Sequence, residues 1–150
     1  MSRPIITNIN FNLQFFFSYL GLCPFILTLF DFSLFSFFST NLLKDFIIFY
    51  SLIILTFIGA MRWSFSTNMG FIKIIYVFIP SLFSTILIFL NLLNFQKDLI
   101  LFTILLLLLF QLGIDLSFKN VTKFQKIFIY YARLPITLAV SLSILYLILV

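Results

Sequence analysis

Apolar residues run through this chain in long blocks that polar residues only punctuate. Five charge-free stretches stand out: Phe15–Phe30, Phe46–Met61, Ile74–Leu90, Leu99–Ile114 and Leu134–Val150. A hydrocarbon core needs about 20 mostly apolar helical residues. Each stretch is slightly short of that, and flanking Lys and Arg close the gap by snorkelling their charged ends to the interface. The pattern predicts an all-α polytopic transmembrane bundle of about five helices, near 14–31, 45–64, 72–91, 98–117 and 133–150. Strands are excluded by the run LILFTILLLLLF at 99–110, which lacks the alternation a membrane barrel requires.

The connections are short. Residues 62–73 and 91–98 leave room for little more than a turn, whereas 31–45, rich in Ser and Phe, either extends the first helix or lies in the interface. Lys119, Lys123 and Lys126 recur at helical spacing beside Phe118, Val121, Phe124, Ile127 and Phe128. That stretch reads as a short interfacial helix near 119–129, or equally as a loop anchored on anionic headgroups. Pro24 and Pro80 fall inside apolar stretches and are candidate helix kinks, with Ser81 or Ser84 placed to compensate at the second. Pro135 suits a first turn. Gly59, Ala60 and Gly113 are candidates for close helix approach.

Composition strengthens this reading. The chain has 150 residues, 63% hydrophobic and 9% charged, which is too few charges to cover a water-facing globule. It is expected to form a single integral membrane domain whose first partner is the lipid bilayer. The net charge of +5 comes from basic residues at helix ends, not from a nucleic-acid-binding run. Phenylalanine appears 24 times, which AT-rich coding and the tolerance of lipid for Phe explain together. Cys23, the single cysteine, lies in an apolar run and is expected to be a buried, inert thiol. With no histidine and no glutamate, no metal set, nucleophile–base pair or phosphate loop can be read, so no catalytic, cofactor or metal residue is assigned. The N-terminal segment has the features of neither a transit peptide nor a cleaved signal.

Five spans place the N-terminus and the 2–3 and 4–5 connections on one side. That side carries Arg3, Arg62, Lys73, Lys119, Lys123, Lys126 and Arg133, against Lys44 and Lys97 opposite. The positive-inside rule then puts the N-terminus on the cytoplasmic or matrix side and the C-terminus outside. The expected membrane is a bacterial inner membrane, with a mitochondrial inner membrane as the alternative.

Arg62, Gln111, Asp115 and Arg133 form a candidate intramembrane polar cluster. Gln111 and Asp115 share one helix face at i, i+4, and the two arginines border neighbouring spans at the same end. An ionised group at that depth is costly unless paired or hydrated. Three readings remain: a staple between helices two, four and five, a small anion, headgroup or proton site, or arginines that snorkel. Trp63, Tyr130 and Tyr131 stand where an aromatic belt belongs.

Several segments occur together in a recognisable order: Leu20-Gly21-Leu22 with Pro24-Phe25, Phe57–Trp63, Ile79-Pro80-Ser81-Leu82, Gln111-Leu112 with Asp115, and Tyr131 with Arg133–Thr137. Their order and spacing, from about residue 14 to 148, resemble the domain of unknown function 3429 family, which includes bacterial inner-membrane proteins and the eukaryotic transmembrane protein 69. The resemblance implies a compact multi-span membrane protein and no particular activity. The chain departs from the family pattern at Arg62, a fixed cation where a titratable histidine is usual. The functional expectation is a non-enzymatic accessory or assembly factor for a membrane complex, partnered by lipid and by other membrane proteins. The alternative is a small transporter or a lipid- or anion-binding protein using the Arg/Asp cluster.

Overall fold

The computed structural model describes residues 13, 15–61, 71–117 and 123–149. It is all-helical, with five helices and no strand among the described residues. We name them α1 (Phe15–Phe35), α2 (Thr40–Met61), α3 (Phe71–Leu92), α4 (Lys97–Ser117) and α5, which joins Lys123–Phe128, Ile129–Arg133 and Leu134–Leu149. Four of them, α1, α2, α4 and α5, are long and apolar enough to cross a membrane, as a multi-pass membrane protein requires. α3 has 22 residues, and its described apolar part is Phe78–Leu92.

The helices alternate in direction. One end of the bundle, end A, gathers Asp31, Lys44, Asp45, Asn91, Lys97 and Asp98; the other, end B, gathers Tyr19, Asp115, Tyr131 and Arg133. Each inward face is a helical stripe: Ile47, Ile48, Leu52 and Leu55 on α2, and Ile100, Leu101, Ile104 and Leu108 on α4. Val140, Ile144 and Leu147 of α5, Phe25 of α1 and Leu87 of α3 complete the core. The same stripes carry small polar residues, including Ser51, Ser84, Thr137, Ser141 and Ser143, all buried. Once inserted, helices gain no hydrophobic free energy by leaving lipid for one another, so small residues that allow close packing and interhelical hydrogen bonds take over. Ser84 shows this: its hydroxyl donates to the Leu52 carbonyl of α2 at 3.3 Å. Most of the described phenylalanines lie on the other side. Among the described residues Phe25 is the one fully buried phenylalanine, while Phe17, Phe57, Phe89 and Phe110, among others, face outward.

The connections are built to end helices sharply. At the α3–α4 turn Asn94 adopts a left-handed φ of 56°, which Asn tolerates better than most residues. The Phe95 amide donates to the Leu90 carbonyl and the Asn94 amide to that of Asn91, the two bonds of a Schellman motif. At the α1–α2 turn Ser36 is left-handed, and the Ser39 hydroxyl accepts from the Leu42 amide as the N-cap of α2. The 31–45 segment therefore divides: 31–35 prolongs α1 as a π turn, and α2 begins at Thr40, earlier than the expected 45.

Of the two candidate kinks, Pro24 stands beside a break in its helix, and Pro80 lies within an unbroken one. Pro24 has no N–H for the Leu20 carbonyl, and the helical ladder gives way to a turn at Gly21 and Leu22. The Tyr50 hydroxyl of α2 donates to the Gly21 carbonyl at 3.0 Å, covering that break. Pro80 stands inside α3. Ser84 spends its hydroxyl on α2 instead of on its own helix, and Thr85 donates to the Ser81 carbonyl at 3.0 Å. Helix Lys123–Phe128 is present where an interfacial helix was expected, but it is no separate element: it runs through a π turn into the last span. Pro135 consequently sits within a continuing helix, not at a free first turn. Gly113 offers no close approach, because a Cβ there would meet open space, whereas Gly59 is buried. Cys23 is exposed on α1 and is not the buried thiol expected.

Candidate functional site: ionic groups at the two ends of the bundle

At end B the α4 stripe that begins with Ile104 and Leu108 continues through Gln111, Leu112 and Asp115. Spacing of three and four keeps these side chains on the inward face, so the helix that buries leucine also buries a carboxylate. Gln111 is 4% exposed and Asp115 6%. Across from them α5 contains the π turn Ile129–Arg133, in which the Leu134 amide donates to the Ile129 carbonyl five residues back. The cause is Pro135, which cannot donate to the carbonyl of Tyr131 and crowds it, so the turn before it widens. The Tyr131 carbonyl, released from the ladder, accepts the Tyr19 hydroxyl of α1 at 2.6 Å. The same wide turn sets Arg133 against α4, where its Nε pairs with Asp115 Oδ2; the Arg133 side chain is 10% exposed. An arginine–aspartate pair this deep neutralises both charges, which a low-dielectric setting demands.

Of the four predicted cluster residues, the structure pairs Arg133 with Asp115 and buries Gln111 on the same α4 face. Arg62, like Trp63, lies outside the described residues. Tyr130 and Tyr131 are exposed at the start of the last span. On α5 the inward face continues as Thr137 and Ser141, so a polar seam follows the α4–α5 contact inward from the ion pair.

End A holds a second ionic arrangement, built from residues that chain order alone assigns to helix ends. Lys44 Nζ pairs with Asp98 Oδ1 at 2.7 Å, and Lys97 Nζ with Asp45 Oδ2 at 2.7 Å. Asn91 Nδ2 donates to Asp45 Oδ1 at 3.3 Å, which brings the end of α3 into the same cluster. The dipeptide Lys-Asp occurs at 44–45 on α2 and again at 97–98 on α4, and each lysine takes the other helix's aspartate. This crossed exchange staples two parallel helices. The signal that could have found it is the repeated dipeptide itself, early in two helices that run the same way. The fourth aspartate, Asp31, also turns inward on its own chain: Oδ1 accepts the Phe37 amide and Oδ2 the Phe38 amide, each at 3.2 Å.

All four aspartate side chains are thus engaged by groups of the chain itself. No group of three or more His, Cys, Asp or Glu side chains able to hold a metal ion occurs among the described residues. Comparison with known proteins places no relative beside this arrangement: no family model, no curated protein and no solved structure matches the chain.

Proposed function

We propose that this chain is a non-enzymatic, multi-pass membrane protein that works by association, as an accessory or assembly factor for a larger membrane complex. The observation that carries the reading is where the carboxylates go. The chain has four acids and no histidine, and each acid is committed to a lysine, an arginine or backbone amides of the same chain. A general base or a cation ligand is a group held free for its substrate, and these four are each tied first to a structural partner. What the molecule offers outward is a broad apolar surface rich in phenylalanine. Purification from native membranes in a mild detergent tests this. A stoichiometric membrane-protein partner is expected; a monodisperse monomer under the same conditions refutes it.

The second reading, a small transporter or a lipid- or anion-binding protein, is favoured by the polar seam of Gln111, Asp115, Arg133, Thr137 and Ser141. It requires Arg62 to add an uncompensated cation beside that seam. Binding of inorganic phosphate or of anionic lipid to the reconstituted protein, abolished by Arg62→Gln, separates this reading from the first.

For orientation we propose that end B faces the cytoplasm or matrix of a bacterial inner or mitochondrial inner membrane. Among the described residues Lys73, Lys123, Lys126 and Arg133 against Asp115 lie in the end B portions of their helices, and Lys44 and Lys97 against Asp31, Asp45 and Asp98 lie at end A. At end A both lysines are also neutralised by Asp98 and Asp45. A cysteine at Lys126 in a Cys23→Ser background should resist an impermeant maleimide in intact cells and react in inverted vesicles; the opposite pattern refutes the orientation.

A further inference from the structure

The α1–α2 turn joins two properties that together suit a place outside bulk water. Its side chains are large and apolar: Leu34, Phe35, Phe37 and Phe38 are 67%, 59%, 78% and 58% exposed. Phe35 and Phe37 stack on each other at 5.6 Å, so even their mutual contact leaves the outer faces open. Its backbone donors, in contrast, are turned inward. The Ser36 amide donates to the Asp31 carbonyl at 2.6 Å, and the next two amides go to the two oxygens of the Asp31 carboxylate. The Ser33 hydroxyl donates to the Leu29 carbonyl at 2.8 Å, and Ser39 caps α2. Water satisfies exposed amides without help; three successive donors served by the chain itself are what a turn needs where water is scarce.

Helix lengths say where that place is. Asp98 and Asp115 are 17 residues apart on α4, about 26 Å at the helical rise of ~1.5 Å per residue. The ionic layers at the two ends are therefore separated by nearly the thickness of a hydrocarbon core, about 30 Å. Lys44 lies four residues beyond Thr40, so α2 rises about 6 Å past the end A layer before the turn begins. The headgroup region on one side is about 5–8 Å deep. The apolar turn falls within it.

We propose that the 34–38 turn is a lipid-binding element, seated in the headgroup–acyl boundary on the end A side, with Asp31 as the internal cap that lets it sit there. Its partner is the lipid at that boundary, the glycerol region and the first acyl carbons that the phenyl rings reach, not a protein surface. It rests on the bundle spanning a bilayer, and not on whether the molecule works as an assembly factor or as a transporter.

The full-length chain tests it as a single-tryptophan reporter, with Phe37→Trp placed in a Trp63→Phe background and reconstituted in phosphatidylcholine vesicles. The expected result is quenching by lipids brominated near the glycerol end of the acyl chain, a weaker effect from lipids brominated near the chain middle, and loss of iodide quenching. Iodide quenching with no effect of brominated lipid overturns the proposal. So does a tryptophan that iodide reaches in pure lipid but not in native membranes, because a protein would then be the cover. A second variant keeps Trp63: a nitroxide on Phe37→Cys in a Cys23→Ser background should be more accessible to oxygen than to a water-soluble nickel chelate, and the reverse order refutes the assignment.

Discussion

Breaking the Arg133–Asp115 pair one partner at a time should expose an asymmetry. The two side chains are 10% and 6% exposed, so neither charge is left to bulk water. Two unit charges at 4 Å interact by about 4 kcal/mol at an effective dielectric near 20. Removing one member of such a pair costs about 3–5 kcal/mol when the other stays trapped. The partners differ in their means of escape. Asp115 has a single methylene between backbone and carboxylate, so R133A leaves its charge stranded, and the loss should be about 3–5 kcal/mol. Arg133 stands at the start of the last span with a long flexible stem, and after D115A its guanidinium can snorkel outward. That loss should fall nearer the value of one charged hydrogen bond, about 1.5–3 kcal/mol. The double variant D115L/R133M removes both charges and keeps the volume, so it should return to within about 1 kcal/mol of the parent. Reversible unfolding in mixed micelles with increasing sodium dodecyl sulfate, followed by circular dichroism, reads all three. Additive single effects, or D115A as costly as R133A, would refute the reasoning.

The end A staple should be weaker and more tolerant: with Asp98 43% exposed, K44A should cost below about 1 kcal/mol. K44D should cost more, because it sets a further carboxylate beside Asp45 and Asp98, and D98K should rescue it; failure of that rescue in the same unfolding assay would show that the crossed pairing does not form. Gly113→Ala, at a position where a Cβ meets open space, should leave stability unchanged or raise it by up to about 1 kcal/mol; a measured loss would mean that the α4 face around Gly113 is covered in the assembled protein.

The architecture was legible because apolar block length reports directly on a hydrocarbon solvent. Four helices long enough to span, and a fifth of 22 residues, follow the predicted blocks closely. The i, i+4 placement of Gln111 and Asp115 was equally readable, since helical periodicity alone puts them on one face. What escaped was anything that depends on which helices meet. Lys44, Asp45, Lys97 and Asp98 read as terminal charges until α2 and α4 are seen to lie side by side. Asp31 read as the end of a span, because a carboxylate folding back onto amides six and seven residues ahead leaves no periodic trace. Pro135 suggested a helix start, since sequence does not distinguish a proline that opens a helix from one that a π turn absorbs.

The outward placement of phenylalanine carries a consequence for how such a chain varies. A residue facing acyl tails is required to be apolar and little more, so Leu, Ile, Val or Phe serve there almost interchangeably. Specific demands fall on a small interior set, such as Ser84 against the Leu52 carbonyl and Tyr50 over Gly21. Two proteins could share this bundle and its buried stripes while agreeing at few of their letters, because the lipid-facing majority is free to drift with codon usage.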